Sequence, residues 1–469
     1  MSRFPRFLLF LLLCCSGAQG SVFGEHVKQA FSDDVNYAYL LELGDDALLA
    51  RVNLIREAEE SIELQTFIWA ADETGAFMFW ELYKAAERGV KVRLLIDDLS
   101  LRGNARIVPF LAMLHKNIEI RHYNPLAENI EIGALQTLRQ FTLNFGKANH
   151  RMHNKIVVVD GDYTMPDLFR ELDQCADNEA CMMKRIVSRG ERIDEMVFVA
   201  DHPGKHEDGD DLAETTESIV KLMQLAEHRI VMQTPCLVAG SKKFFSDLIE
   251  EKPDLDFIVS TNSLGAADHF YAYAFSYKNK KRYLRKFKWQ IHEMKPDPPD
   301  YPLMVRAVPG VVHSDKHYTC IHSKTYLFDD DIVWLSSFNM DPRSQRLNTE
   351  AGIILRDREF FDQVDENIMR AASPTNAWTI GPRRKVPILS FFYGIVENIF
   401  SLIPIANIWP FTYSTSYALR EGGEEMPFFD KRFHDNYKPV GQFPGVEMSP
   451  KAIKTRLTKA FFGPAEPII

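Results

Sequence analysis

The chain has 469 residues, 46% of them hydrophobic and 26% charged, and a formal net charge of −10. That length allows more than one domain and that composition a buried core, which excludes a broadly disordered chain. The acidic balance argues against a general nucleic-acid binder, which needs a basic footprint.

Residues 1–20 read as a secretion signal. Arg3 and Arg6 make a short basic start, 7–13 is apolar, and Ala18-Gln19-Gly20 offers small residues for cleavage before Ser21. The apolar run is too short to span a membrane. Cys14 and Cys15 leave a lipid anchor as the alternative, disfavoured because Leu13 stands where a small residue is expected. Either way the mature chain is expected outside the cytoplasm, membrane-associated, on the periplasmic side or in the cell envelope. Cys175 and Cys181 are close enough in sequence to close a small loop under oxidising conditions, while Cys236 and Cys320 sit in apolar contexts and read as inert core residues. No Cys and His spacing matches a zinc site, so neither metal nor cofactor is expected.

In chain order, 21–39 reads as a helical or irregular lead-in. Gly44-Asp45-Asp46 caps a helix over 47–58, and 61–69 alternates as a strand. Thr74-Gly75 opens a helix over 77–88, ended by Gly89. A strand follows over 90–97, then a helix around 107–115 and a strand over 118–123. The second half replays this order: strand 229–235, helix 241–250, strand 255–261, helix 272–287, strand 289–293. Strands alternating with helices predict an α/β fold with mixed, mostly parallel sheets.

Each half then carries the same spacing. His153-Asn154-Lys155 leads through apolar residues to Asp160, and His322-Ser323-Lys324 through apolar residues to Asp329. Both stretches read as buried strands, on which residues two apart share a face, so His153 lies beside Lys155 and His322 beside Lys324. An imidazole beside an ammonium suits a phosphate ester: the Lys offsets charge, and the His attacks phosphorus or moves a proton. Two such halves packed about a pseudo-twofold axis bring both pairs into one cleft.

At these motifs the chain resembles the phospholipase D superfamily, in its bacterial cardiolipin synthase-like branch. The resemblance rests on Leu64-Gln65-Thr66-Phe67-Ile68-Trp69, the run from Arg88 to Asp98, Asn124-Pro125, the two His-x-Lys motifs with Arg151-Met152 before the first, Thr261-Asn262-Ser263-Leu264, Ser336-Ser337-Phe338-Asn339-Met340-Asp341-Pro342-Arg343-Ser344 and Asn348-Thr349-Glu350. It covers most of 40–370. It implies a two-step exchange through a phosphohistidine, in which His153 attacks a phosphatidyl donor and His322 protonates the departing alcohol, then deprotonates the incoming one. Lys155, Lys324 and Asn339 would hold the non-bridging oxygens, and Glu350 would orient a catalytic imidazole. Asp160 and Asp329 belong to the motif and are expected to brace its loops. The near symmetry of the residues leaves open which His attacks.

The first motif departs from the pattern. After Met165 a Gly-Gly-Arg-Asn type strand is expected, but the chain reads Pro166-Asp167-Leu168-Phe169-Arg170, with no Asn where a phosphate ligand would stand; Asp173 is a candidate substitute for the missing orienting acid. The expected division is a signal over 1–20, a first half over 21–205, a second over 206–380, an apolar membrane-associated helical segment over 381–412, and a tail over 413–469. The apolar stretch holds Pro387, Pro404, Pro410 and Glu397, which argues for lying in the interface rather than crossing, with Tyr393 and Trp409 at headgroup level. The basic run Lys278, Lys280, Lys281, Arg282, Arg285, Lys286 and Lys288, interleaved with Tyr277, Tyr283 and Phe287, is either a lipid-headgroup dock or a solvated helix face. Thr66, Trp69 and 97–99 end strands, as caps or as part of the substrate path; His150, His313 and His317 flank the motifs.

The expected activity is a membrane-associated phosphatidyltransferase forming cardiolipin from phosphatidylglycerol. The alternatives are a hydrolytic phosphodiesterase or a catalytically impaired membrane-binding relative. The expected partners are a phospholipid substrate and a membrane surface, with no nucleic acid.

Overall fold

The computed structural model describes residues 36–41, 43–69, 73–98, 112–125, 150–160, 179–193, 195–205, 214–267, 270–300, 319–383, 413–446 and 453. The signal, most of the 107–115 helix, the segment after Met165, His313, His317 and the apolar 384–412 stretch lie outside them.

The described chain opens with β1 (Asn36–Tyr39), where an irregular lead-in was expected. Helix α1 (Gly44–Glu57) leads to β2 (Ser61–Thr66), and α2 (Glu73–Arg88) to β3 (Lys91–Asp97), followed by β4 (Ile118–Tyr123) and β5 (Ile156–Val159). Then come α3 (Glu179–Arg185), β6 (Gly190–Ile193) and β7 (Glu195–Ala200). The second half holds α4 (Glu214–Leu225), β8 (Arg229–Gln233), α5 (Lys242–Glu251), β9 (Asp256–Asn262), α6 (Phe270–Arg285) and β10 (Gln290–Met294). It continues through β11 (Thr325–Phe328), β12 (Ile332–Ser336), α7 (Pro342–Arg346), β13 (Ala351–Arg356), α8 (Arg358–Ala372) and β14 (Ala377–Pro382). It ends in β15 (Ser414–Leu419), α9 (Phe433–Asn436) and β16 (Tyr437–Gly441).

The strands form mixed sheets. Among the described residues one has four strands, ordered β4-β3-β2-β5, and another has ten, ordered β16-β15-β14-β10-β9-β8-β11-β12-β13-β7; β1 and β6 pair separately. The expectation of mostly parallel sheets is corrected. Parallel pairing between strands is confined to β2-β3-β4 and β8-β9-β10, where α2, α5 and α6 cross over from β2 to β3, β8 to β9 and β9 to β10. β5 and β11 reverse onto β2 and β8, and the strands after β11 are added antiparallel. β7, expected in the first half, pairs with β13 along the edge of the ten-stranded sheet. The chain from 413 onwards, where no motif is legible, adds β15 and β16 to the opposite edge.

Burial explains the helices. α8 presents Phe360, Phe361, Val364, Ile368, Ala371 and Ala372 on one face at near-3.6 spacing, and its Asp357 N-cap accepts from Phe360 N. The aromatics interleaved with the basic run are core: Tyr283 and, just past α6, Phe287 pack on Trp289 at 4.9 and 5.2 Å between centroids, and Tyr277 on Phe443 at 5.1 Å. Lys280 is buried with them, paired to Glu293. A helix that carries its aromatics at core spacing cannot also present them to a membrane. Cys236 and Cys320 are free thiols, and Cys181 is disulfide-bonded. No described helix is long and apolar enough to cross a membrane.

Candidate active site

Both His-x-Lys stretches precede their strands: β5 begins at Ile156 and β11 at Thr325. The expectation that the His and Lys lie on the strands is thus corrected. The first stretch is extended but stitched elsewhere. Asp97, fully buried at the end of β3, accepts from Met152 N at 3.0 Å and faces the buried Arg151 guanidinium at 3.5 Å. Met152 forms a lone parallel bridge with Thr349; His153 N donates to Thr349 O at 3.0 Å and Thr349 N to Arg151 O at 2.9 Å. The residue between His and Lys is held from below in both halves: Asn154 Nδ2 donates to Gln65 Oε1 at 3.3 Å, and Ser323 Oγ donates to Gln233 Oε1.

This bridge carries the first motif onto the second half. His153 Nδ1 lies 3.0 Å from Glu350 Oε2 and 2.9 Å from Ser337 O. Both partners are acceptors, so Nδ1 carries the hydrogen, which makes Nε2 the nitrogen with the lone pair in the neutral ring. Glu350 is fully buried and is itself held: Ser337 Oγ donates to Oε2, Ser344 Oγ to Oε1 at 2.7 Å, and Asn348 Nδ2 to Oε1 at 3.4 Å. Its backbone N–H donates to Asp201 Oδ2 at 2.9 Å, and Asp201 takes a further bond from Lys205 Nζ at 2.6 Å. Burial alone would raise the Glu350 carboxyl. The His153 ring, the Ser337 hydroxyl and the Lys155 charge outweigh it and bring it down to about 2.

Lys155 Nζ donates to His153 O at 2.7 Å and stands 5.9 Å from the centroid of the Phe67 ring. The same ring meets the His153 imidazole edge-on at 5.5 Å. Lys155 is open to solvent yet crowded by protein atoms, as a group lining a cleft is. That crowding first, and the Lys324 charge second, pull its ammonium down to about 7 against the opposing pull of Glu350. The Lys324 charge is thus within electrostatic range of Lys155. Lys324 is buried; its Nζ lies 3.0 and 3.2 Å from the Nδ1 and Nε2 of the exposed His322 and donates to His322 O at 2.6 Å. The arrangement therefore offers one imidazole with a free nitrogen, a second imidazole open to solvent, and two ammonium groups, which together suit an anion.

Asn339 donates its backbone N–H to Ser344 Oγ at 3.1 Å, and its Oδ1 is buried without a hydrogen-bond partner among the described residues. Asp160 and Asp329 stand elsewhere. Each follows its strand, roughly 16 Å along the chain from its motif Lys at about 3.3 Å per residue. Asp160 accepts from the N–H groups of Glu59, Glu60 and Ser61, and Asp329 from those of Glu227, His228 and Arg229. Partial burial would raise the Asp329 carboxyl, but these N–H groups hold it below the usual range. Both residues have positive φ, 51° and 54°, which Asp tolerates better than most residues. Both carboxylates are taken up by backbone N–H groups at the strand ends, where they brace the loops, and neither is held against an imidazole or ammonium of the motifs by these bonds.

Ser337, Ser344, Asp201, Arg151 and Phe67 join the site without having been singled out as its members. Their nearness to recognised motif residues was the available signal; Asp201, outside any motif, gave none. Thr66 donates to Ile68 O at 2.9 Å, and His150 accepts through its carbonyl from Asn124 at 2.8 Å, so neither is brought to the ring nitrogens by these bonds. Among the described residues no three His, Cys, Asp or Glu side chains gather as a metal site would.

A family model described as "Cardiolipin synthase, PLD-like domain" matches residues 52–166 and 219–371, more than half of the chain. Cardiolipin synthase C of Escherichia coli strain K12 is 25% identical over 464 residues, spanning 78% of this chain and 94% of that protein. An uncharacterised Helicobacter pylori protein is 27% identical over 424 residues, spanning 74% and 80%. Among solved structures, the phosphatidylserine synthase of Haemophilus influenzae Rd KW20 aligns with a TM-score of 0.45 at 14% identity, over 74% of this chain and 90% of that one. The chain belongs to the phospholipase D superfamily, in its cardiolipin synthase-like branch.

Proposed function

We propose that the protein is a membrane-associated phosphatidyltransferase that forms cardiolipin from phosphatidylglycerol, or from another phosphatidyl donor, through a phosphohistidine. The observation that carries this reading is His153, whose Nδ1 is fixed by Glu350 from the other half, with Lys155 two residues on donating to the His153 carbonyl. The two halves pack about a pseudo-twofold axis, and His153 and His322 flank one phosphorus. With Nδ1–H donated to Glu350 and Ser337 O, His153 Nε2 attacks phosphorus and the bond to the leaving alcohol breaks. His322 gives that alcohol its proton. The incoming hydroxyl then returns a proton to His322 and attacks, and the nitrogen–phosphorus bond breaks. A phosphate oxygen offers Lys324 a better acceptor than the His322 ring, which frees the ring for this role. Lys155, Lys324 and Asn339 hold the non-bridging oxygens, where charge develops.

Purified protein given phosphatidylglycerol is expected to yield cardiolipin and glycerol. Phosphatidic acid as the main product would instead favour hydrolysis. Acid-quenched protein is expected to carry a covalent adduct on His153, absent from His153→Ala. The altered sequence after Met165 favours a second reading, a catalytically impaired membrane-binding relative. Absence of product and adduct, with His153→Ala indistinguishable from the parent, would select it.

A further inference from the structure

The stretch directly after β2 is apolar and ends at the catalytic groups. Phe67 touches both the His153 ring and the Lys155 ammonium. Ile68 follows and is 65% exposed. Trp69 turns back and packs against the core of the four-stranded sheet. The bond from Thr66 Oγ1 to Ile68 O fixes the turn between them. A single exposed aliphatic side chain says little on an ordinary surface. One residue from the ring that borders the nucleophile, it says which substituent of phosphorus belongs there. A phosphate held by Lys155 would border Phe67, and Ile68 is the exposed apolar residue next to Phe67 in the chain. A sugar or a bare polyol would gain nothing from that lip, whereas an acyl chain would cover it.

We propose that Phe67, Ile68 and Trp69 form the seat for the glycerol and acyl portion of the donor phospholipid, which makes Ile68 a specificity-determining residue. This inference rests on the phosphatidyltransferase reading above and names the part of the donor that the site recognises.

The test uses the full chain and micelles of phosphatidylglycerol carrying brominated acyl chains, which quench nearby indoles. Quenching is expected in the parent protein, with a clear component lost in Trp69→Phe. Ile68→Ser is expected to shrink that component and weaken half-maximal quenching about tenfold, the loss of roughly one buried aliphatic side chain. In turnover assays Ile68→Ser should lower kcat/KM for the long-chain donor several-fold more than for a water-soluble aryl phosphodiester. Equal quenching in the parent and Trp69→Phe, no quenching at all, or equal losses on both substrates would overturn the seat. Quenching of Trp69 in a protein without turnover or adduct would instead retain the seat and sink the proposed activity, so the two failures are distinguishable.

Discussion

Glu350 is a fully buried carboxylate that stays ionised because hydroxyl and imidazole groups surround it. Its depressed folded value means its stabilising contribution is complete above about pH 4.5 and is lost as pH falls through about 2. The window corresponds to roughly 3 kcal/mol. Chemical denaturation between pH 5 and 2 is therefore expected to show the parent losing stability relative to Glu350→Gln, which has no charge to lose. The same variant should lower turnover by roughly ten- to a hundredfold, since an amide cannot stabilise the imidazolium as the carboxylate does. Lys155 has the opposite sign. Its ammonium, pulled down to about 7, is charged below that pH and neutral above it. Affinity for a phosphate mimic such as tungstate is expected to fall as pH rises through about 7, rather than near 10; isothermal titration from pH 5.5 to 9 checks this. Lys155→Met should bind weakly throughout and lose that pH dependence. The residues carrying the main chemistry were legible in the sequence because His, Lys and Glu stood at fixed offsets. Asp201 was not, because its only link to the site is a contact with Glu350 across 149 residues of chain.

Among the elements, the motif strands are short and their reactive residues lie just before them, which a pattern of apolar alternation cannot resolve. The alternation starts at Ile156 and Thr325, but the backbone at Met152 and His153 is held by Asp97 and Thr349. The aromatics of the basic run are a related case: Tyr277 and Tyr283 stand among basic residues in sequence, yet on α6 they fall on the buried face, and Phe287 just past the helix is buried too. Asp160 and Asp329 close the far ends of β5 and β11 by gathering backbone N–H groups from the segment that opens β2 or β8. Asp329→Ala is expected to cost about 2 kcal/mol in urea unfolding, through lost hydrogen bonds and a left-handed φ that Ala tolerates poorly. Asp329→Asn, which keeps an acceptor and the backbone preference, should cost less. Both should leave kcat nearly unchanged in the folded fraction, because neither touches the reacting groups.

For the molecule as a whole, mixed α/β architecture was readable from strands alternating with helices, whereas the pairing of β7 with β13 was not. β7 closes one edge of the ten-stranded sheet, and pairing between strands distant in sequence leaves no local pattern. A fragment beginning at residue 206 leaves β13 with an open edge and Glu350 without His153; it is expected to be markedly less soluble than one beginning at 190, as judged by gel filtration. At the other edge, β14 and β15 are antiparallel neighbours with Pro382 opposite Ser414, and Arg383 N donates to Tyr413 O at 2.9 Å. The polypeptide thus departs the sheet at 383 and re-enters beside its point of departure at 413. The two ends of the 384–412 stretch are therefore close enough for a short turn to join them. Splicing Arg383 to Tyr413 through a two-residue Asn-Gly turn is expected to keep the melting temperature within a few degrees, while abolishing sedimentation with anionic vesicles if the apolar 384–412 stretch is the portion that grips the bilayer.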